Sequence, residues 1–205
     1  MRWVNPAWTS LFVPWVKFKG DAGSVYLTFD DGPHAGHTPA VLDVLNRHGV
    51  KGTFFLRGDR IAGNETLVRR MADAGHSIGN HGGSHRPLWF RPGKAIRREI
   101  DATASAIANV IGQRPSLFRP PYGRFDARFQ RIMKETDHRL VLWSLLSYDW
   151  AAYDPGAVVK IVERHLHPGA VLVFHDGHRR GAMLPQVLER VIVLVRQKGL
   201  GFGVL

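Results

Sequence analysis

The chain has 205 residues, of which 44% are hydrophobic and 22% charged, which is typical of one globular domain with a substantial core. The absence of cysteine excludes disulfides and thiolate metal sites, and no apolar run approaches the roughly 20 residues of a membrane span. Its 28 basic residues against 17 acidic ones give a net charge of +11, which favours an acidic polymer as partner. The basic residues are scattered and no nucleic-acid-binding signature accompanies them, so we expect no nucleic-acid partner.

The first 20 residues are rich in tryptophan and other apolar side chains, but Pro6 and Pro14 interrupt the run. They lack the basic start, apolar middle and small-residue cleavage site of a signal peptide. We therefore expect residues 1–20 to pack as a segment on a single domain formed by residues 21–205. By sequence alone the protein would be cytoplasmic and monomeric, with no transmembrane segment.

Short apolar runs alternate with helical patterns along the rest of the chain. Strands are predicted at 25–29, 53–56, 76–79, 117–119, 140–143, 170–175 and 202–205. Helices are predicted at 38–48, 64–74, 94–111, 126–136, 154–165 and 184–197, with Asn64 and Asp154 as N-terminal caps. This alternation predicts an α/β fold with a parallel sheet and right-handed crossovers. A closed or nearly closed barrel fits best, because polar clusters follow at least five strands and such loops build the site in barrels.

The first polar cluster, Asp30-Asp31-Gly32-Pro33, follows the first predicted strand directly. Adjacent side chains at a strand end point in different directions, so one carboxylate can hold a metal while the other handles a proton. Two carboxylates this close repel each other unless a cation or a shared proton offsets the repulsion. A plain turn explains the same residues about as well, because Asp-Asp-Gly-Pro is good turn sequence.

The second cluster contains His81 and His85, four residues apart in a glycine-rich segment. Two such imidazoles can face one metal, and a catalytic zinc ion typically has three protein ligands plus a water. By themselves the two histidines are more often solvated loop residues. A nearby aspartate that completes a set of two histidines and one carboxylate reverses that preference.

Three further clusters follow later strands. Arg119 begins a stiff segment that ends at Gly123, where a backbone N–H can be aimed at developing negative charge. Asp149 and the neighbouring Trp150 suit the orientation of a histidine and an apolar wall for a sugar. His175 ends a very apolar strand. Each feature is often structural in isolation, but all are predicted to reach one rim of the barrel.

The five clusters, in this order, resemble the NodB-type polysaccharide deacetylases, carbohydrate esterase family 4. Thr-Phe-Asp-Asp-Gly-Pro matches the first motif of that family residue for residue, and Arg-Pro-Pro-Tyr-Gly, Asp-Trp and Leu-x-x-His match the third, fourth and fifth. The resemblance runs from about residue 24 to the C-terminus. One position departs from the pattern, because Gly82 stands where the second motif has a serine or threonine that steadies the loop.

The resemblance implies a distorted (β/α)7-type barrel and a metal-dependent hydrolase that removes N-acetyl groups from N-acetylglucosamine-containing glycans, such as peptidoglycan or chitin oligosaccharides. It implies one divalent ion on Asp31, His81 and His85, zinc in the first instance, with cobalt, nickel or manganese as alternatives. It also implies Asp30 as the general base, oriented by Arg119, and His175 as the general acid, oriented by Asp149. The backbone N–H of Tyr122 would bind the oxyanion. Trp150 and Leu172 would form the walls of the acetyl pocket. Such a substrate class would place the reaction at the cell envelope, although no export signal is visible.

Other functions fit parts of the same pattern. A protein of the same fold could act as an amidase or deformylase on another non-peptide C–N bond. Paired carboxylates are also the signature of glycosidases, which have no need for the two histidines. Non-haem iron oxygenases share the two-histidine, one-carboxylate ligand set. A basic binding module without catalysis would show salt-sensitive binding and no turnover.

Overall fold

The computed structural model describes residues 13–205. Its strands are β1 Ser24–Asp30, β2 Thr53–Leu56, β3 Ser77–Asn80, β4 Leu117–Phe118, β5 Arg139–Leu140, β6 Leu145–Leu146, β7 Val171–Phe174 and β8 Gly201–Gly203. Its helices are α1 Thr38–Arg47, α2 Glu65–Asp73, α3 Gly93–Ile111, α4 Arg128–Glu135, α5 Pro155–His165 and α6 Leu184–Gln197. Among these helices, none is both long and apolar enough to cross a membrane.

The strands form one curled sheet in the order β5-β4-β3-β2-β1-β7-β6, and β8 pairs with the first half of β1. Every ladder in this sheet is parallel. The predicted α/β architecture, a distorted (β/α)7-type barrel in a single domain, is confirmed. Because all strands run the same way, their carboxyl ends share one rim, where the loops of a barrel assemble a site.

Two local predictions differ from the structure. The strand predicted at 140–143 is replaced by two short strands, β5 and β6, because the chain turns between them to reach the far edge of the sheet beside β7. Asn64 precedes α2, but its side chain donates a hydrogen bond to the Arg60 carbonyl, 3.0 Å away, and does not cap the helix. Asp154 does cap α5, since its carboxylate accepts a hydrogen bond from the Ala157 N–H at 2.9 Å.

Side chains on β1 alternate between the two faces of the sheet. Leu27 and Phe29 are fully buried in the apolar layer between the sheet and the helices. Thr28 and Asp30 point to the interior of the barrel, where both receive hydrogen bonds from Arg119. This alternation places an aspartate inside the mouth of the barrel at the last position of the strand.

The described part of the N-terminal segment lies along the domain. Val13, Trp15 and Phe18 pack against the apolar cluster that includes side chains of α3 and α4. Backbone bridges join Lys17 to Val141 and Lys19 to Ala170, near the edges of the curled sheet. Residues 1–12, for which the same packing is predicted, lie outside the described residues.

Candidate active site

Asp31, His81 and His85 meet at the carboxyl ends of β1 and β3. One candidate ligand atom from each of the three lies within 4.8 Å of the others. The Nε2 atom of His85 is 3.0 Å from Asp31 Oδ1, and that of His81 is 3.8 Å from the same oxygen. His81 Nδ1 is held by the Arg119 carbonyl at 2.8 Å, which leaves Nε2 to face the carboxylate. A second interaction of this kind fixes the orientation of a metal-binding imidazole.

The chemistry of these three side chains fits a divalent cation. Asp31 Oδ1 is buried, and no donor among the described residues meets hydrogen-bond geometry to it, although His85 Nε2 lies only 3.0 Å away. This oxygen therefore faces the two imidazole nitrogens as a free acceptor. Burial lowers the pKa of His81 to about 3 and also lowers that of His85, in both cases against the attraction of Asp31. Both imidazoles are therefore neutral at pH 7, which is the form that binds metal.

Several residues of the site have left-handed backbone conformations. The φ angles of Asp31, His85, Tyr122 and Tyr148 are 71°, 55°, 59° and 57°, and they account for four of the six non-glycine residues with positive φ in residues 13–205. Such conformations cost of order 1–3 kcal/mol each and persist where the surroundings enforce them. These conformations are concentrated in the loops at the carboxyl end of the sheet, the rim that carries the candidate site.

The loop that carries the two histidines is held without the hydroxyl that the second motif usually supplies. Gly82 has φ = 78°, a conformation in which a side chain is strained. Its N–H donates to Asn80 Oδ1 at 2.8 Å, and the Gly83 N–H donates to Glu99 Oε1 at 3.2 Å. The carbonyl of Gly82 accepts from the Gly58 N–H at 2.9 Å. Asn80 and Glu99 therefore steady this loop in place of a serine or threonine at position 82.

Arg119 is a fully buried cation behind Asp30. Its Nη1 donates to Asp30 Oδ1 at 2.7 Å and to Thr28 Oγ1 at 2.8 Å. Its other nitrogens reach the carbonyls of Val141 and Leu142 at 3.3 Å. Burial lowers the pKa of Arg119 and Asp30 opposes that change, but a guanidinium remains charged at neutral pH. The pair fixes the orientation of the Asp30 carboxylate and leaves Oδ2 directed away from Arg119, 4.0 Å from His81 Nε2.

His175 and Asp149 form a second charged pair on the same rim. Asp149 Oδ1 lies 2.8 Å from His175 Nδ1, Asp149 Oδ2 accepts from the His175 N–H at 2.7 Å, and Ser147 Oγ donates to Oδ1 at 2.8 Å. Burial alone would lower the pKa of His175, but the charge and hydrogen bond of Asp149, with help from Asp30 and Asp31, raise it to about 9. The imidazolium form of His175 therefore dominates at pH 7 when no metal is bound.

Tyr122 and Trp150 flank these groups. The Tyr122 ring lies 4.5 Å from the ring of His85, and its backbone sits in a short turn closed by a 2.9 Å bond from the Gly123 N–H to the Pro120 carbonyl. Trp150 is half-buried next to Asp149, with its ring 5.4 Å from that of Tyr148. Both residues lie in loops that follow the carboxyl ends of strands.

Leu172 does not fit the expected role as a wall of the pocket. The parallel ladder pairs Leu172 with Leu27, and both lie in the apolar layer between the sheet and the helices. The next residue, Val173, is paired with Thr28, whose side chain points into the barrel. Neighbouring strands present paired residues on the same face. The inward position two residues before His175 is therefore that of Val173, and the prediction for Leu172 is wrong by one residue.

Residues 17–141 match the sequence pattern of the family described as polysaccharide deacetylase. The chain belongs to this family. Among curated proteins, this deacetylase chain is 33% identical over 189 residues to the peptidoglycan-N-acetylmuramic acid deacetylase PdaA of Bacillus subtilis, covering 87% of the chain and 68% of PdaA. It is 36% identical over 165 residues to a chitooligosaccharide deacetylase of Rhizobium leguminosarum bv. trifolii, covering 80% of the chain and 77% of that protein.

A solved structure confirms the deacetylase fold over almost the whole chain. The Bc1960 peptidoglycan N-acetylglucosamine deacetylase, in complex with an N-hydroxybenzamide compound, superposes with a TM-score of 0.91 at 30% sequence identity. The match covers 98% of this chain and 95% of Bc1960. The relationship therefore includes every strand and helix that positions the candidate site, and it identifies the chain as a hydrolase of the carbohydrate esterase family 4 type.

The deacetylase site contains a buried carboxylate to which the sequence analysis gave no role. Asp176 is fully buried, and it accepts a short hydrogen bond from the Thr38 hydroxyl. Burial raises its pKa to about 7, and the charges of Asp31 and Asp30 add to that rise against the bond from Thr38. Its carboxylate lies against Gly32, where a Cβ atom would be only 2.6 Å from Oδ2. The sequence signal for this residue was its position directly after His175.

Arg60 is a second residue that the sequence analysis missed. Its Nη1 donates to the carbonyls of Asp31 and Gly177, at 3.0 and 2.7 Å. These two contacts tie the loop after β1 to the loop after β7. Asp31 and the loop after His175 are therefore held together through their backbones, which a sequence pattern does not reveal.

Proposed function

We propose that this protein removes N-acetyl groups from N-acetylglucosamine-containing glycans by metal-dependent hydrolysis, releasing acetate and a free amino sugar. The observation that carries the proposal is the meeting of the cluster Asp31, His81 and His85 with two charged pairs on one rim. In the Asp30–Arg119 pair the carboxylate is the base, and in the His175–Asp149 pair the imidazole is protonated. An amide hydrolase needs both a base for water and an acid for the departing nitrogen.

Asp31, His81 and His85 would hold the divalent ion. Imidazole and carboxylate ligands suit zinc, with cobalt, nickel or manganese as alternatives. When bound there, the ion supplies Lewis-acid polarisation of the acetamide carbonyl and of the attacking water.

The chain's own residues handle the protons. Asp30, oriented by Arg119, accepts a proton from the attacking water through Oδ2. The backbone N–H of Tyr122 donates to the oxygen that becomes negative as the carbonyl is attacked. His175, held by Asp149 through Nδ1, donates the proton on Nε2 to the amide nitrogen as the C–N bond breaks.

Two apolar side chains complete the proposed acetyl pocket. Trp150 stands beside Asp149, and Val173 takes the inward position that precedes His175 on β7. A small apolar wall favours the acetyl methyl group. The named activities of the relatives support a cell-envelope glycan as the substrate.

Mass spectrometry across a panel of glycans and small amides tests this function. Each turnover replaces one acetyl group by a hydrogen atom and releases one acetate. The mass of the product should therefore be lower than that of the substrate by the difference between an acetyl group and a hydrogen atom. Chelation should abolish the product, and added zinc should restore it. Asp30→Asn should keep the bound metal and lose at least ~100-fold in rate, whereas His81→Ala should lose metal as well. Turnover only on small amides would point to the amidase alternative, and full activity after complete metal removal would refute the proposal.

A further inference from the structure

Three of the six large hydrophobic side chains exposed in residues 13–205 lie together beside the proposed metal ligands. Trp89, Phe90 and Tyr122 are 38%, 75% and 55% exposed. Single exposed apolar side chains are ordinary, but a contiguous group at the edge of a site marks a binding surface. Together with Arg124 we call these residues the aromatic platform.

The platform forms a continuous path away from the site. The Tyr122 ring is 4.5 Å from the His85 ring, and the Arg124 guanidinium lies 5.7 Å from the centre of Tyr122 and 5.3 Å from that of Trp89. The rings of Trp89 and Phe90 are 4.6 Å apart. A chain molecule whose reacting group lies at His85 would therefore meet these rings in succession.

Its supporting loop is fixed before any ligand binds. Leu88 is fully buried in the core, so the exposed rings follow an anchored residue. The Phe90 N–H donates to Asp126 Oδ2 at 3.2 Å, and Arg128 Nη2 holds the same oxygen at 2.8 Å. Arg128 also donates to the Arg91 carbonyl at 2.9 Å. A surface that is ordered in advance loses less entropy on binding.

The chemistry of the platform suits a sugar with an acidic substituent. The faces of aromatic rings are electronegative and attract the weakly positive C–H groups on the apolar face of a pyranose. Within residues 13–205, no carboxylate lies within ion-pair distance of Arg124, although Arg91 is paired with Glu99 and Arg128 with Asp126. Its guanidinium can therefore offer two donors to a carboxylate.

The surface next to the platform is also basic. Directly after Phe90, a depression of about 560 Å³ is lined by Arg91, Lys94, Arg98 and Glu99, among others. The cations outnumber the single carboxylate there, in line with the net charge of +11. An acidic strand is attracted along this face, whereas a neutral one gains only from the rings.

We propose that the aromatic platform binds the sugar next to the one that is deacetylated, and that Arg124 pairs with a carboxylate on that sugar. The substrate would then be an N-acetylated glycan strand with acidic substituents, such as the lactyl carboxylate of muramic acid. This inference rests on the proposed function, because it places the reacting acetamide at the cluster Asp31, His81 and His85.

Binding and turnover are measured with the zinc-loaded protein and three probes: single N-acetylglucosamine, its neutral hexamer, and peptidoglycan glycan strands with free lactyl carboxylates. Binding is followed by calorimetry in an Asp30→Asn background, so that the strands stay intact. Trp89→Ala and Phe90→Ala should each weaken both long probes about tenfold and leave the single sugar unchanged. Arg124→Gln should weaken the acidic strands about tenfold and the neutral hexamer much less.

Tyr153→Ala is the matched control. Tyr153 is 90% exposed, and Arg180, which is anchored to the carbonyls of Ala151 and Ala152, lies 3.7 Å from its ring centre. This variant should bind all three probes like the parent. An equal loss of affinity in the control would overturn the assignment of binding to the platform.

The platform and the proposed function fail in different ways. If the wild-type protein releases acetate but the three platform variants keep full affinity and kcat/KM on acidic strands, the platform is refuted and the function stands. If the strands bind in a platform-dependent way but no acetate is released, the function is refuted and the binding surface stands. If Arg124→Gln lost equal affinity for the acidic strands and for the neutral hexamer, the proposed pairing of Arg124 with a carboxylate would be overturned.

Discussion

The pair of His175 and Asp149 gives the sharpest quantitative prediction. In Asp149→Asn, the imidazole keeps a neutral partner of the same shape and loses the adjacent charge. Burial, which by itself lowers the pKa of His175, is then opposed only by the more distant Asp30 and Asp31. We therefore expect the pKa of His175 in the metal-free protein to fall by at least about two pH units.

The raised pKa of His175 also stabilises the folded state. Raising the pKa of His175 from 6.5 to about 9 corresponds to about 3 kcal/mol, since one pH unit is about 1.4 kcal/mol. The folded state binds this proton more tightly than the unfolded state does. The stabilisation is therefore complete below pH 6.5 and is lost as the pH rises through about 9.

Two assays measure this effect on metal-free protein. Histidine NMR titration gives the pKa directly, with the resonance assigned by its loss in His175→Gln. Urea unfolding at pH 7 and at pH 9.5 should show that the free energy of unfolding of the wild-type protein falls by about 2 kcal/mol more than that of Asp149→Asn between these values. The raised pKa of Asp176 contributes equally to both proteins and cancels in the comparison.

Ser147→Ala is the control for this prediction. It removes the hydrogen bond from Ser147 Oγ to Asp149 Oδ1, at 2.8 Å, and the one from the Asp149 N–H to Ser147 Oγ, at 3.3 Å, and it keeps the charge of that carboxylate. Ser147→Ala should therefore change the pKa of His175 less than Asp149→Asn does. A wild-type pKa near 6.5, or an equal pKa in the wild-type protein and Asp149→Asn, would refute the electrostatic reasoning.

Three further predictions concern stability. Gly32→Ala should destabilise by about 1–3 kcal/mol, because its Cβ would lie 2.6 Å from the Asp176 carboxylate, whereas Gly23→Ala, whose Cβ meets no atom within 4 Å, should change the melting temperature little. Leu172→Ala should lower the free energy of unfolding by about 2–5 kcal/mol, and deacetylase activity per folded molecule should stay near wild type because the side chain faces the helices. Arg119→Met should cost about 3–5 kcal/mol in the metal-free protein, as measured by urea unfolding, because it leaves a buried carboxylate without its cation; an unchanged midpoint would contradict this.

Much of the fold and the membership of the site could be predicted from the sequence, because the relevant signals are local. Alternating apolar runs and helical stripes follow from the backbone geometry of each element. The sequence predicts Asp30, His81 and His175 on one rim because each stands at or just after the end of a strand and parallel strands end at the same edge. These residues can be identified from the order of the polar clusters along the chain, without any distance between remote segments.

Other features depended on how distant segments pair. Whether Leu172 or Val173 faces the barrel interior is set by the register between β7 and β1, since a shift of one residue exchanges the two faces. The short strand β6 exists because Leu145 and Leu146 pair with β7, and two residues carry almost no sequence signal. Likewise, the Asn64 side chain bonds the Arg60 carbonyl and not the end of its helix.

The sequence by itself therefore determined the barrel, the order of its elements and the chemistry gathered at its mouth. Only the tertiary structure decided the direction of each side chain, the burial of Asp176 against Gly32 and the alignment of the aromatic platform with His85. Propensity and periodicity act over a few neighbouring residues, whereas burial, pKa and ring contacts arise between segments far apart in the chain. Those quantities are properties of the packed molecule, because the partner that produces each of them is supplied by another element.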